Sequence, residues 1–117
     1  MISLVWAKTA QGAWHQLQAW DFSSITSIGV YHIWCVGKNV KFNVRSGQGI
    51  IGARLTAHKN DPQIMKHANS GTLYVTWAAV PSGQLDGVER YLADHYRPVE
   101  GDRYPNVTPL VVNLPAS

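Results

Sequence analysis

The sequence predicts an α/β domain of the α+β type, a small and largely antiparallel three-stranded sheet flanked by helices. Three observations carry that prediction. Two apolar, β-rich runs lie either side of a Gly-Lys-Asn turn at residues 37–39, which makes a hairpin. A third alternating run at residues 72–80 ends at Pro81. Segments of helical periodicity separate and follow these runs, so helices must pack on the sheet.

Each element has a local reason. Residues 29–36 read Gly-Val-Tyr-His-Ile-Trp-Cys-Val, rich in β-branched and aromatic side chains, hence a strand. In residues 40–45, Val40, Phe42 and Val44 alternate with Lys41, Asn43 and Arg45, the pattern of a half-buried strand with the polar trio on one face. Ser46-Gly47-Gln48-Gly49 is expected as a tight connection. A helix follows over residues 50–59, with Ile51 and Leu55 facing inward at i,i+4. Arg54 and His58 share the same spacing and so a neighbouring face. Asn60-Asp61-Pro62 stops that helix, and Pro62 opens a second short one ending near Gly71.

In residues 72–80, Leu73, Val75 and Trp77 alternate with Tyr74, Thr76 and Ala78. Ser82 is a candidate cap for a helix over residues 83–96, whose core stripe is Leu85, Val88 and Leu92. Glu89 falls at the margin of that stripe, where a carboxylate is half covered and half reachable. Arg97-Pro98 ends the helix, and residues 109–115 form a short extended segment between prolines. Residues 1–27 read as a lead-in packed on the domain, anchored by Trp6, Trp14, Leu17 and Trp20, with a short helix and its return as one reading. Residues 28–117 form the domain proper, and 117 residues leave no room for a second core.

Composition narrows the function classes. Only Cys35 is present, so no internal disulfide is possible. Residues 1–16 lack a basic start followed by an apolar run, and no stretch approaches the ~20 apolar residues of a membrane span. The expectation is a cytoplasmic protein without a membrane partner. Ten Lys+Arg against seven Asp+Glu give a net charge of +3, compatible with a polyanionic partner such as nucleic acid. No ligand spacing for structural zinc is present, and Gly47-Gln48-Gly49 lacks the Lys-Ser/Thr ending of a P-loop.

One ordered set of residues stands out: Gly29-Val30-Tyr31 on the first strand, Gly47 after the second, Arg54 and His58 on the next helix, Glu89 on a later helix and Asn113 near the end. This set resembles the GIY-YIG nuclease superfamily over roughly residues 28–115, most densely in Gly-Gln-Gly-Ile-Ile-Gly-Ala-Arg-Leu-Thr-Ala-His at residues 47–58. The resemblance implies a metal-dependent phosphodiesterase acting on DNA or RNA with Mg²⁺ or Mn²⁺. Tyr31 would activate water, Arg54 would stabilise the phosphate, Glu89 would hold the cation, His58 would assist proton transfer, and Gly29, Gly47 and Asn113 would shape the site.

The chain departs from that pattern where the family has Tyr-Ile-Gly, which here reads Arg45-Ser46-Gly47. A guanidinium with a pKa above ~12 accepts no proton near neutral pH, but it binds phosphate through two parallel hydrogen bonds. Arg45, with Lys41 and Arg54, is therefore expected as a phosphate grip. The alternative is a catalytically impaired module of the same fold that binds nucleic acid or a protein partner. Each candidate also has an ordinary role: strand packing for Tyr31, solvated helix faces for Arg54, His58 and Glu89, and a loop hydrogen bond for Asn113. His67 and His95 fall outside the pattern and are expected on the surface.

Overall fold

The computed structural model describes residues 1–101 and 104–115, so the last residues of the expected domain lie outside the described part. Four antiparallel strands form one sheet: β1 (His15–Gln16), β2 (Ile28–Val36), β3 (Lys41–Ile50) and β4 (Thr72–Ala79), in the spatial order β1-β4-β2-β3. Helices α1 (Ile51–Lys59) and α2 (Pro62–Met65) follow β3, and α3 (Leu85–Tyr96) follows β4.

The α+β class holds, with one strand more than the three expected. The extra strand, β1, has only two residues and lies in the lead-in, where His15 pairs with Val75 and Gln16 with Tyr74. Two residues are too short for alternation to mark them. The lead-in is thus a strand and turns. Asp21 makes one turn by accepting the Ser23 N–H at 2.9 Å.

β2 is central and is buried from Gly29 through Cys35. Tyr31, Ile33 and Cys35 face a core made with Ile51 and Leu55 of α1, Ile64 of α2, and Leu73 and Val75 of β4. Val30 faces the opposite core with Ala78, Val88 and Leu92. Both faces are covered by helices, so the strand reads as a nearly continuous apolar run. Val88 and Leu92 have no exposed surface, and each such burial stabilises the α3 contact by roughly 1.5–3 kcal/mol.

β3 differs from expectation in two ways. It continues through Ser46-Gly47-Gln48-Gly49 to Ile50 and runs straight into α1, so this segment is strand rather than tight connection. It also contains a bulge: Ile33 pairs with Arg45 but Trp34 pairs with Asn43, leaving Val44 as the extra residue. The bulge breaks the predicted alternation. Lys41 and Asn43 lie on the Trp34 face, whereas Arg45 lies on the Tyr31 face.

The helix ends follow local chemistry. Asp61 caps α2 through Gln63 N–H at 2.9 Å, and Pro62 occupies its first turn. Ser82 does not cap α3 with its side chain; a 3-10 turn over Ser82–Gln84 leads into the helix instead. Arg97 terminates α3 in the left-handed region at φ 47°. Beyond it, Val99 N–H donates to Asn43 O and Glu100 N–H to Val44 O, at 3.0 and 2.8 Å, so the chain runs alongside the bulged part of β3.

Candidate active site

The arrangement begins with a missing side chain. Tyr31 on β2 pairs directly with Gly47 on β3, which puts both on the α1 face. A Cβ at position 47 would lie 2.2 Å from the Tyr31 hydroxyl, so only glycine leaves room for the phenol. Tyr31 has no exposed surface. Its hydroxyl meets Nε2 of His58 at 2.5 Å.

His58 reaches the phenol because α1 starts immediately after β3 and turns Ile51, Leu55 and His58 toward the sheet. This corrects the polar-face expectation, since His58 is only 4% exposed. Its pKa is lowered to about 4, chiefly by burial and then by the positive fields of Arg45 and Arg54, with Asp61 opposing them. At neutral pH the ring is uncharged, and the tautomer with its proton on Nδ1 lets Nε2 accept a hydrogen bond from the Tyr31 hydroxyl.

Arg45 arrives through the bulge. It is half-buried rather than spread into solvent beside Lys41. Burial disfavours its cation, but the neighbouring Tyr31 hydroxyl, with Tyr104 and Glu89, outweighs that and raises its pKa. Its Nε is buried without a hydrogen-bond partner among the described residues.

Glu89 enters from α3 and is 8% exposed. Gln48 on β3 donates from Nε2 to Glu89 Oε1 at 2.8 Å and to Asp86 Oδ1 at 2.6 Å, so one amide joins two carboxylates. Burial raises the Glu89 pKa; Gln48, Arg45 and Arg54 pull it back, and Asp86 adds to the rise. Arg54 is exposed one turn before His58, and its field reaches both His58 and Glu89. Among the described residues no ion pair joins Arg45 or Arg54 to Glu89.

The structure thus joins Tyr31 and His58 directly on the α1 face, where Arg45 also points, and seats Glu89 with Gln48 on the α3 face; the charges of Arg45 and Arg54 act on both His58 and Glu89. Two expected members lie elsewhere. Lys41 sits on the opposite face of the sheet because of the bulge, beside Trp34 and Asn43. Asn113 ties the chain ends together, accepting Leu4 N–H at 2.6 Å and donating to Leu4 O at 2.9 Å, while its own carbonyl takes Trp6 Nε1 at 2.8 Å. Gly29 shapes the sheet rather than the cluster: a Cβ there would stand 2.0 Å from Ala78 O of the adjoining strand. His67, expected on the surface, is mostly covered and pairs with Glu100 Oε2 at 2.7 Å.

Three members escape the sequence reading. Gln48 and Asp86 join Glu89 as described, and only the strand extension through Gln48 makes that visible. Tyr104 is the third. It is half-buried, donates its hydroxyl proton to Glu100 O at 3.2 Å and is bonded by the Ser46 backbone. Burial raises its pKa, against Arg45, while Glu89 and Tyr31 add to the rise. It sits in an irregular tail with no periodicity to single it out.

Among the described residues no group of three or more His, Cys, Asp or Glu side chains forms a metal cage. Glu89 and Asp86, joined on one amide, nevertheless suit a hard divalent cation that keeps most of its waters, as Mg²⁺ does. No helix among the described residues is long and apolar enough to cross a membrane. Comparisons with family models, with curated proteins and with solved structures return no match for this chain.

Proposed function

We propose that the protein is a metal-dependent nucleic-acid phosphodiesterase, a GIY-YIG-like endonuclease acting on DNA or RNA in the cytoplasm. The observation that carries this reading is the buried Tyr31–His58 pair beside Arg45, packed against Gly47, with the buried Glu89 carboxylate across edge strand β3 under the same Arg45 and Arg54 charges. Convergence of a proton-transfer pair, two guanidinium groups and a buried carboxylate is what phosphoryl chemistry needs.

In this reading Arg45 and Arg54 hold the phosphodiester oxygens and stabilise the charge that builds on them. Tyr31 takes a proton from the attacking water while passing its own to His58 Nε2. An imidazole with a pKa of about 4 is by itself a poor proton acceptor. A bound phosphate brings negative charge beside the two arginines, offsets their field and raises His58 basicity. Proton transfer is thereby coupled to substrate binding. Mg²⁺ or Mn²⁺ held by Glu89, with Asp86 beside it, supplies Lewis-acid stabilisation of the phosphoryl oxygens when bound.

A second reading has its own observation. Tyr31 is wholly covered, and Arg45 stands where a phenol would accept a proton. A module that grips nucleic acid or a protein partner without cutting needs only the arginines.

Cleavage assays of supercoiled DNA, single-stranded DNA and RNA with Mg²⁺ or Mn²⁺ separate the two. Nicking by the wild type that Glu89→Ala abolishes supports the enzyme. Tight binding without cleavage, with nicking gained by Arg45→Tyr, supports the module.

A further inference from the structure

On the other face of the sheet from Tyr31, a cavity of about 270 Å³ opens between the start of β3, the end of α3 and Trp14. Its walls are aromatic. His32 and Tyr96 stack at 3.9 Å with 13° between their planes, and Trp34 lies 5.8 Å from His32, again at 13°. Tyr74 continues the row, 5.9 Å from Trp34 at 25°. Trp14 stands edge-on to Trp34 at 5.4 Å.

The wall is held in place by a chain of hydrogen bonds. Ser46 Oγ meets His32 Nδ1 at 2.8 Å, His32 Nε2 meets Asn43 Oδ1 at 2.9 Å, and Asn43 Nδ2 donates to Tyr96 O at 3.1 Å. Both His32 nitrogens are engaged and its ring is buried, so it serves as a wall rather than as an acid, a base or a metal ligand. The charges nearby are positive. Lys41 is exposed at the lining, and Lys8 Nζ lies 4.5 Å from the Trp14 ring centroid. Among the described residues no carboxylate side chain lines the cavity.

Flat π surfaces, fixed in orientation and flanked by cations without acids, suit a planar aromatic group carrying a negative charge. We propose that this cavity binds an unpaired nucleobase, with the adjoining phosphate on Lys41. The cavity is thus a second contact for single-stranded nucleic acid, separate from the Tyr31–Glu89 cluster. The inference rests on the reading that nucleic acid is the substrate, and it sharpens it: the substrate carries unpaired bases. Stacking tolerates every base, so the contact selects strandedness rather than sequence.

The test measures binding by fluorescence anisotropy in EDTA, so that no cleavage occurs. The probes are a labelled single-stranded oligodeoxynucleotide, the same strand made abasic, and a blunt duplex. The intact single strand should bind best. Trp14→Ala and Lys41→Glu, both at accessible positions, should each weaken it about tenfold while leaving the duplex unchanged. An abasic strand that binds as well as the intact one, variants that bind like the wild type, or no binding to any probe overturns the proposal. Failure of the nuclease reading looks different: the wild type cuts nothing with either metal, while Trp14- and Lys41-dependent binding persists.

Discussion

Gly47 lies opposite Tyr31 across the β2–β3 pairing, and the Tyr31 hydroxyl occupies the volume that a side chain at position 47 would need. Gly47→Ala must therefore displace the phenol from His58. Overpacking a closed site of this kind costs about 1–3 kcal/mol. Denaturant titration should show that loss, and cleavage should fall with it. An alanine variant of wild-type stability and activity would mean that the phenol has freedom the structure does not give it.

After burial, the Arg45 charge is the largest cause of the low His58 pKa. Arg45→Ala removes that positive field, so the His58 pKa should rise from about 4 toward the ordinary 6.5. Titration of the His58 ring by NMR reads the shift directly. The same measurement with wild-type protein and inorganic phosphate should also move it upward. A His58 pKa indifferent to both changes would remove the coupling between phosphate binding and proton transfer.

The arrangement was only partly legible in the residues. β2 and β4 show their faces because Tyr31, Ile33 and Cys35, or Leu73 and Val75, alternate with side chains that face the other way. β3 misleads for the same reason. Its alternation is regular in sequence, but the bulge at Val44 inserts one unpaired residue and sends Arg45 to the face opposite Lys41. A bulge is a property of the pairing, which a single strand's pattern does not carry. Glu89 was readable from its place beside Val88. Gln48 and Tyr104 were not, since each reaches the cluster through the β3 extension or an irregular tail.

Arg54 is exposed and keeps no ion pair among the described residues, so its charge is available to phosphate. Arg54→Ala should weaken binding to all sequences alike. It should also lower the slope of log affinity against log salt by about one. Binding isotherms at several salt concentrations test this. An unchanged slope would place Arg54 away from the phosphate.

Three buried histidines set a pH limit on the fold. His32 and His58 have pKa values of about 4, and His15 is also lowered, in each case chiefly by burial. The unfolded chain binds these protons near pH 6.5, and the folded chain does not. The contribution of His32 and His58 is fully present above about 6.5 and is lost as pH falls toward 4, at about 1.4 kcal/mol per pH unit for each, and His15 acts in the same direction. The raised pKa of Glu89 works the other way at the acid end of that window. Urea midpoints should therefore fall steeply between pH 7 and pH 5. A flat profile over that range would show that the rings are hydrated in the native state.

The central claim is that Tyr31, Arg54 and Glu89 serve one reaction. Single-turnover cleavage at saturating protein and fixed Mn²⁺ measures it most directly, comparing wild type with Tyr31→Phe, Arg54→Ala and Glu89→Gln, all checked for native folding. The account predicts that each variant is slower by about a hundredfold or more, with Tyr31→Phe retaining its affinity for nucleic acid. Wild-type cleavage left intact by all three substitutions would contradict it.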